Sequence, residues 1–179
     1  AFMSKVFWGK EAFNSEVEII DTLKKPIDNA RYIKEIPILL ISEIYDVKNL
    51  VKLAKEYGQQ NRLGYLTDLA LVLLERHEGK LENEIDNRID GVRQNLRYIE
   101  EEMSSHKKEA KTPLYENMSN HEHWYTDRHP KNIEICKKLE GKWNMVGGFG
   151  IEEMYDYMRF IMKEPRKTVL QLPIEELVH

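Results

Sequence analysis

The sequence predicts an all-α protein, a helical bundle with one long helix. Its 179 residues suffice for one domain, or two small ones, with a sizeable core. Nine glycines and six prolines are few for this length, which favours long helices over many short strands. Apolar residues also recur at helical spacing along most of the chain, a pattern typical of helices that bury one face.

Composition narrows the class further. Hydrophobic residues make up 41% of the chain and charged residues 32%, which is too apolar for intrinsic disorder. The formal net charge of -4 does not favour electrostatic binding of nucleic acid by the chain as a whole. The single cysteine, Cys136, cannot form an internal disulfide, and no apolar run reaches the length of a membrane span. We therefore expect a cytoplasmic protein.

The first two helices are marked by caps and prolines. A capping box at Ser15 and Glu18 begins a helix that is expected to end before Pro26 and to bury Val17, Ile20 and Leu23. A second helix is predicted from about Asp28, with a bend or break at Pro37. The apolar run that follows, residues 38–41, is expected to be helical because Ile41 and Ile44 continue a helical stripe.

The centre of the core is predicted in the next two helices. Asp46 is a suitable N-cap and Gly58 a suitable residue just beyond the C-cap, so a helix is expected between them. Residues 60–77 are apolar on most sides of a helix, and such helices are usually buried.

A long helix is predicted at roughly 80–106. Its apolar positions form a narrow stripe, made of Leu81, Ile85, Ile89, Val92, Leu96, Ile99 and Met103. A narrow stripe indicates packing against one partner helix, in the same chain or in a second copy. Gly91 lies inside this helix although glycine weakens helices.

The rest of the chain is expected to be a long connection and two further helices. The connection covers 107–130; a helix then begins at Pro130, buries Ile133, Cys136 and Leu139, and ends at Gly141. The last helix is predicted over about 151–163. We expect residues 1–78 to form one helical domain and residues 79–179 to add the long helix and a helical extension, packed on the first as one unit.

One candidate site is a divalent-metal site in the connection. His121 and His123 alternate, so they point the same way on an extended segment, and Asp127 and His129 could complete a ligand set. This hypothesis predicts a metal-dependent or nucleic-acid-processing enzyme. The alternative is a polar loop with solvated histidines and no cofactor, which we favour because no HExxH motif or cysteine pair accompanies them.

A second candidate site is a basic patch in the same connection. Lys107, Lys108 and Lys111, together with Trp124 and Arg128, could contact nucleic acid by charge and base stacking. The alternative is a solvated basic loop. The net negative charge of the chain favours that alternative.

The first half of the chain carries a family resemblance. Residues 15–26 read SEVEIIDTLKKP, residues 49–58 read NLVKLAKEYG, and residues 62–66 read RLGYL. In this order and rough separation, residues 14–76 resemble the C-terminal domain of AbiEi-type antitoxins, which are transcriptional regulators of type IV (abortive-infection) toxin–antitoxin systems.

The resemblance implies a non-catalytic interaction module that acts by protein–protein binding. Its partner would be a protein such as a toxin, or a second copy of the chain through helix 80–106. The most specific part of the resemblance comprises Arg62, Leu63, Gly64, Tyr65 and Leu66. Judged on its residues alone, this segment is a packing motif in which Gly64 lets a neighbouring helix approach closely.

Overall fold

A computed structural model describes residues 15–25, 30–42, 45–77, 83–113, 129–146 and 150–162. Within these residues the predicted all-α fold is confirmed. In chain order the helices are α1 (Ser15–Lys24), α2 (Ala30–Ile33), α3 (Ile36–Ser42), α4 (Val47–Glu56), α5 (Gln60–His77), α6 (Asn83–Ser105), α7 (Pro130–Trp143) and α8 (Ile151–Met162). Two very short strands, β1 (Thr112–Pro113) and β2 (Met145–Val146), pair in parallel.

Helix α1 buries Ile20 and Leu23 as predicted, but its buried face includes Ile19 and not Val17. Ile19, Ile20 and Leu23 are buried, whereas Val17 is 41% exposed. Ile19 and Leu23 are four residues apart and therefore share a face, and Val17 lies nearly opposite that face. The placement of Val17 in the core was wrong for this reason.

The helix breaks near Pro37, as predicted, and the break separates α2 from α3. Pro37 occupies the first turn of α3, where its missing N–H leaves no intrahelical hydrogen bond unmade. All seven residues of α3 are buried, so this short helix lies inside the bundle. The run 38–41 is helical, as predicted.

Both predicted caps of α4 are confirmed. The Asn49 N–H donates to Asp46 Oδ1 over 2.8 Å, as an N-cap requires. At the other end, Gly58 has a φ of +69°, a backbone conformation that favours glycine.

Helix α6 packs along α5 in the same chain, and also contacts α4 and α3. The stripe residues Ile89, Val92, Leu96, Ile99 and Met103 are each at most 2% exposed. This described part of the stripe is therefore unavailable to a second copy, and self-association through α6 would need another face. The two earlier stripe positions, Leu81 and Ile85, have side chains outside the described part.

Helix α7 begins at Pro130 as predicted but continues past Gly141. It ends at Trp143, and Asn144 takes up the left-handed conformation with a φ of 51°. Asparagine tolerates this conformation, so no glycine is needed to end the helix. The buried face of α7 is formed by Asn132, Cys136 and Trp143.

Helix α5 is the central element, because it contacts α3, α4, α6, α7 and α8. The two halves of the chain therefore meet along α5. The described start of the 107–130 connection is anchored, since β1 pairs with β2 directly after α7. None of the described helices combines the length and apolarity needed to cross a membrane.

Replacing Asp46 with alanine is expected to lower the free energy of unfolding by about 1 kcal/mol, because the Asn49 N–H loses its acceptor. Urea denaturation followed by circular dichroism measures this loss. Asp46→Asn keeps a side-chain oxygen at the cap and is the control, expected to match the wild type closely. Equal losses in the two variants would contradict the capping role.

Candidate functional site

Helices α5 and α7 are in close contact at Gly64 and Trp143. A Cβ built on Gly64 would lie 2.2 Å from Cζ3 of the Trp143 ring. Trp143 is fully buried, so its ring cannot move aside into solvent. The ring therefore rests on the bare backbone of α5, and a glycine is required at this position.

Asp68 anchors the same indole ring one turn further along α5. Trp143 Nε1 donates to Asp68 Oδ2 over 2.7 Å, which satisfies the buried donor. The Lys142 ammonium group donates to the same oxygen over 2.8 Å and to Glu100 Oε1 over 2.8 Å. We call Gly64, Asp68, Glu100, Lys142 and Trp143 the Trp143 cluster; it joins α5, α6 and α7.

The charge state of Lys142 limits what the Trp143 cluster can do. Partial burial by itself would lower the pKa of Lys142, but the hydrogen bonds and charges of Asp68 and Glu100 outweigh burial and raise it. Lys142 is therefore a protonated cation held between two carboxylates. In this charge state Lys142 is a hydrogen-bond donor, and it links α7 to α5 and α6.

Asn61 ties the end of α7 to the loop that follows α6. Its Nδ2 donates to the carbonyl of Trp143 over 2.6 Å and to that of Lys108 over 3.0 Å. Its Oδ1 accepts from the Lys108 N–H over 2.7 Å. Asn61 is only 1% exposed, so its amide is a buried bridge rather than a surface group.

A second polar cluster joins the other end of α7 to α5 and α8. Arg76 donates to Asn132 Oδ1 over 2.6 Å and to Glu152 Oε2 over 3.0 Å, and Asn132 Nδ2 donates to Glu152 Oε2 over 3.2 Å. The Arg76 guanidinium also lies 5.7 Å from the centre of the Tyr155 ring. These groups are engaged with one another and hold three helices together.

The segment most specific to the resemblance lies inside the fold. Leu63, Tyr65 and Leu66 are fully buried, and Gly64 carries the Trp143 ring. The Nη1 of Arg62 donates to the carbonyl of Leu23 over 2.8 Å and to Gln59 Oε1 over 3.2 Å. Arg62 thereby fastens the end of α1 to α5.

The structure describes only one of the four residues of the predicted metal site. His121, His123 and Asp127 lie outside the described residues. The fourth residue, His129, is the N-cap of α7, where Nδ1 accepts from the Lys131 N–H over 3.3 Å. In the described part of the chain, no three His, Cys, Asp or Glu side chains converge on a point where a metal ion could bind. The site stays a prediction.

The predicted nucleic-acid patch also lies only partly within the described residues. Trp124 and Arg128 lie outside the described residues. Lys107 donates to the carbonyl of Lys142 over 2.6 Å, so this ammonium group is used within the fold. Lys108 and Lys111 are exposed.

Sequence analysis missed the polar residues that organise α5 and α7. Asn61, Asp68, Asn132 and Arg76 were not among the candidate residues, and Trp143 was not assigned to the core. A usable signal was present, since Asn61 and Asp68 interrupt a helix that is otherwise apolar on most sides. Buried polar side chains need partners, which predicts contacts to other elements without naming them.

Large apolar side chains at the surface form a further site-like feature of the described residues. Tyr57 is 47% exposed, Val17 41% and Tyr98 39%. The Lys24 ammonium group lies 4.2 Å from the centre of the Tyr57 ring. Lys108 Nζ lies beside the next residue, 2.8 Å from where a Gly58 Cβ would be. We call Lys24, Tyr57, Gly58 and Lys108 the Tyr57 patch.

No family model, curated protein or solved structure matches this chain. The contacts described above are therefore the basis on which a function can be assigned.

Replacing Gly64 with alanine is expected to lower the free energy of unfolding by about 1–3 kcal/mol, because the added methyl group collides with the buried Trp143 ring. Gly141→Ala is the matched control: it is also helical, and nothing lies within 4 Å of its added Cβ. This control should gain up to ~1 kcal/mol from the better helix propensity of alanine. Urea unfolding of both variants measures the contrast, and equal gains would show that Trp143 does not rest on Gly64.

Proposed function

We propose that this chain is a non-catalytic helical interaction module that acts by binding another protein, with residues 14–76 serving as an antitoxin-type effector domain. Two features support the proposal. Segments 15–26, 49–58 and 62–66 resemble the corresponding parts of that domain. The polar clusters centred on Trp143 and Arg76 are engaged in holding helices together.

The observation that carries the proposal is the Tyr57 patch. A tyrosine exposed to 47% leaves a large apolar surface in contact with water, and burial of that surface by a partner is favourable. Tyrosine is enriched among the residues that dominate binding energy at protein interfaces. Tyr57 and Gly58 also end the second segment of the resemblance, so three of the four patch residues lie within residues 14–76, and Lys108 is added from outside them.

The fold holds Tyr57 in place before any partner arrives. The Tyr57 N–H donates to the carbonyl of Leu53 over 2.9 Å, and the Gln59 N–H donates to that of Ala54 over 2.8 Å. Arg62 then fastens the start of α5 to the end of α1, which carries Lys24. Because the backbone at Tyr57 is held in this way, binding would not have to order a loop first, which lowers the cost of association.

The chemistry of the patch favours an acidic partner surface. Lys24 and Lys108 bring two ammonium groups to the junction between α4 and α5. Carboxylates on the partner would meet these cations while an apolar residue covers the Tyr57 ring. The resemblance implies that such a partner is a nucleotidyltransferase toxin encoded by the neighbouring gene.

The test uses the purified product of the neighbouring gene as the probe, immobilised for biolayer interferometry. Tyr57→Ala is expected to weaken binding by about 30-fold, as loss of an interface tyrosine worth ~2 kcal/mol would do. Tyr57→Phe keeps the ring and should bind nearly as well as the wild type. Lys138→Ala, on the exposed side of α7, is the control that should change nothing.

Charge is tested separately. Lys24→Glu should slow association, and the loss should shrink at high salt because exposed charges are screened. Circular dichroism confirms that each variant is folded. The proposal is wrong if the neighbouring protein does not bind the wild type, or if it binds Tyr57→Ala as tightly as the wild type.

A further inference from the structure

Helix α6 has a second face, opposite the buried stripe. Its members are all exposed and lie at helical spacing: Asp90, Gly91, Gln94, Arg97, Tyr98 and Glu101. We call these six residues the outer face of α6. Gln94 lies at its centre, and Tyr98 is 39% exposed within it. No described residue covers this face.

No contact within the described fold requires glycine at position 91. A Cβ built on it meets no atom within 4 Å, so no neighbouring element needs the space that the missing side chain leaves. Glycine in a helix interior is unfavourable relative to alanine. A glycine becomes useful at such a position when a side chain of another molecule packs directly on the helix backbone.

The spacing of Gly91 and Tyr98 fits a second copy of the same helix. Tyr98 follows Gly91 by seven residues, which is about two turns or ~10 Å along the axis. A two-fold axis passing beside Gln94 sets two α6 helices antiparallel. In that arrangement each Tyr98 ring lies over the partner's Gly91, and the contact is made twice.

The charges on the outer face agree with the same axis. Asp90 and Arg97 lie at almost equal distances on either side of Gln94, so each Asp90 faces the partner's Arg97. A parallel pair would instead set like charges against each other, so the charges select the antiparallel arrangement. The Asp90 carboxylate is 74% exposed although it pairs with Arg93 over 3.0 Å, so it remains accessible to a second copy.

We infer that two copies of this chain associate through the outer face of α6, antiparallel about an axis at Gln94. A second copy is thus one partner of the interaction module proposed above, and the inference rests on that proposal. An interface built from one helix pair is small and largely polar, so the dimer is reversible and forms at high protein concentration.

Charge reversal tests the arrangement without any foreign partner. In sedimentation velocity at low salt, Asp90→Arg and Arg97→Asp should each weaken self-association by about tenfold, because each sets two pairs of like charges together. Mixing the two variants restores opposite charges at both contacts. The mixture should therefore form a heterodimer as tight as the wild-type dimer, an outcome that a folding defect cannot produce.

Gly91→Ala gives a second, independent measurement. The alanine should raise the melting temperature of the chain, yet weaken the dimer by about tenfold because its methyl group meets the partner's Tyr98. Gly141→Ala, where nothing lies within 4 Å of the added Cβ, should raise the melting temperature and leave self-association unchanged.

Three results would overturn the inference: a wild-type chain that stays monomeric at every concentration, charge variants that fail to pair when mixed, or a Gly91→Ala dimer as tight as the wild type. Each of these results is compatible with binding of the neighbouring gene's product through the Tyr57 patch, which is measured separately. The failure of one proposal can therefore be told from the failure of the other.

Discussion

The contact between the Trp143 ring and the bare backbone at Gly64 is the constraint on which the second half of the fold depends. It brings the end of α7 onto the first half of α5 at a distance that no other residue at position 64 would allow. The Asp68 carboxylate then fixes the direction of the ring through its Nε1–H. Because Asn61 holds the carbonyl of Trp143 together with the backbone of Lys108, the loop after α6 is located by the same contact.

The buried polar groups fix the position of α7 along α5. At one end Trp143 meets Asp68, and at the other Asn132 meets Arg76, so α7 runs antiparallel to α5 and is fastened at both ends. Apolar contacts alone would tolerate a shift of one turn along α5. Hydrogen-bonded groups in a low-dielectric interior do not, because each shift leaves a donor or acceptor without its partner.

Local signals in the sequence predicted most of the helices. The features that were not predicted depend on contacts between residues far apart in the sequence. Asp46, Gly58 and Pro37 act within about one helical turn of their own positions, so their effects could be predicted from the sequence. The end of α7 could not, since it depends on burial of Trp143 against a residue 75 positions earlier. The Tyr57 patch escaped prediction for the same reason, because Lys24, Tyr57 and Lys108 come together only in the fold.

The two proposed binding surfaces lie on helices that contact each other. Helix α4, which ends beside Tyr57, packs against α6, and Lys55 binds Glu102 across that contact. The hydrogen bond and charge of Lys55 lower the pKa of Glu102, which favours the carboxylate form that this contact uses. A dimer formed through the outer face of α6 would carry two Tyr57 patches in one assembly. Each patch alone could then bind weakly, because a partner with two acidic sites would gain affinity from the raised local concentration of the second patch.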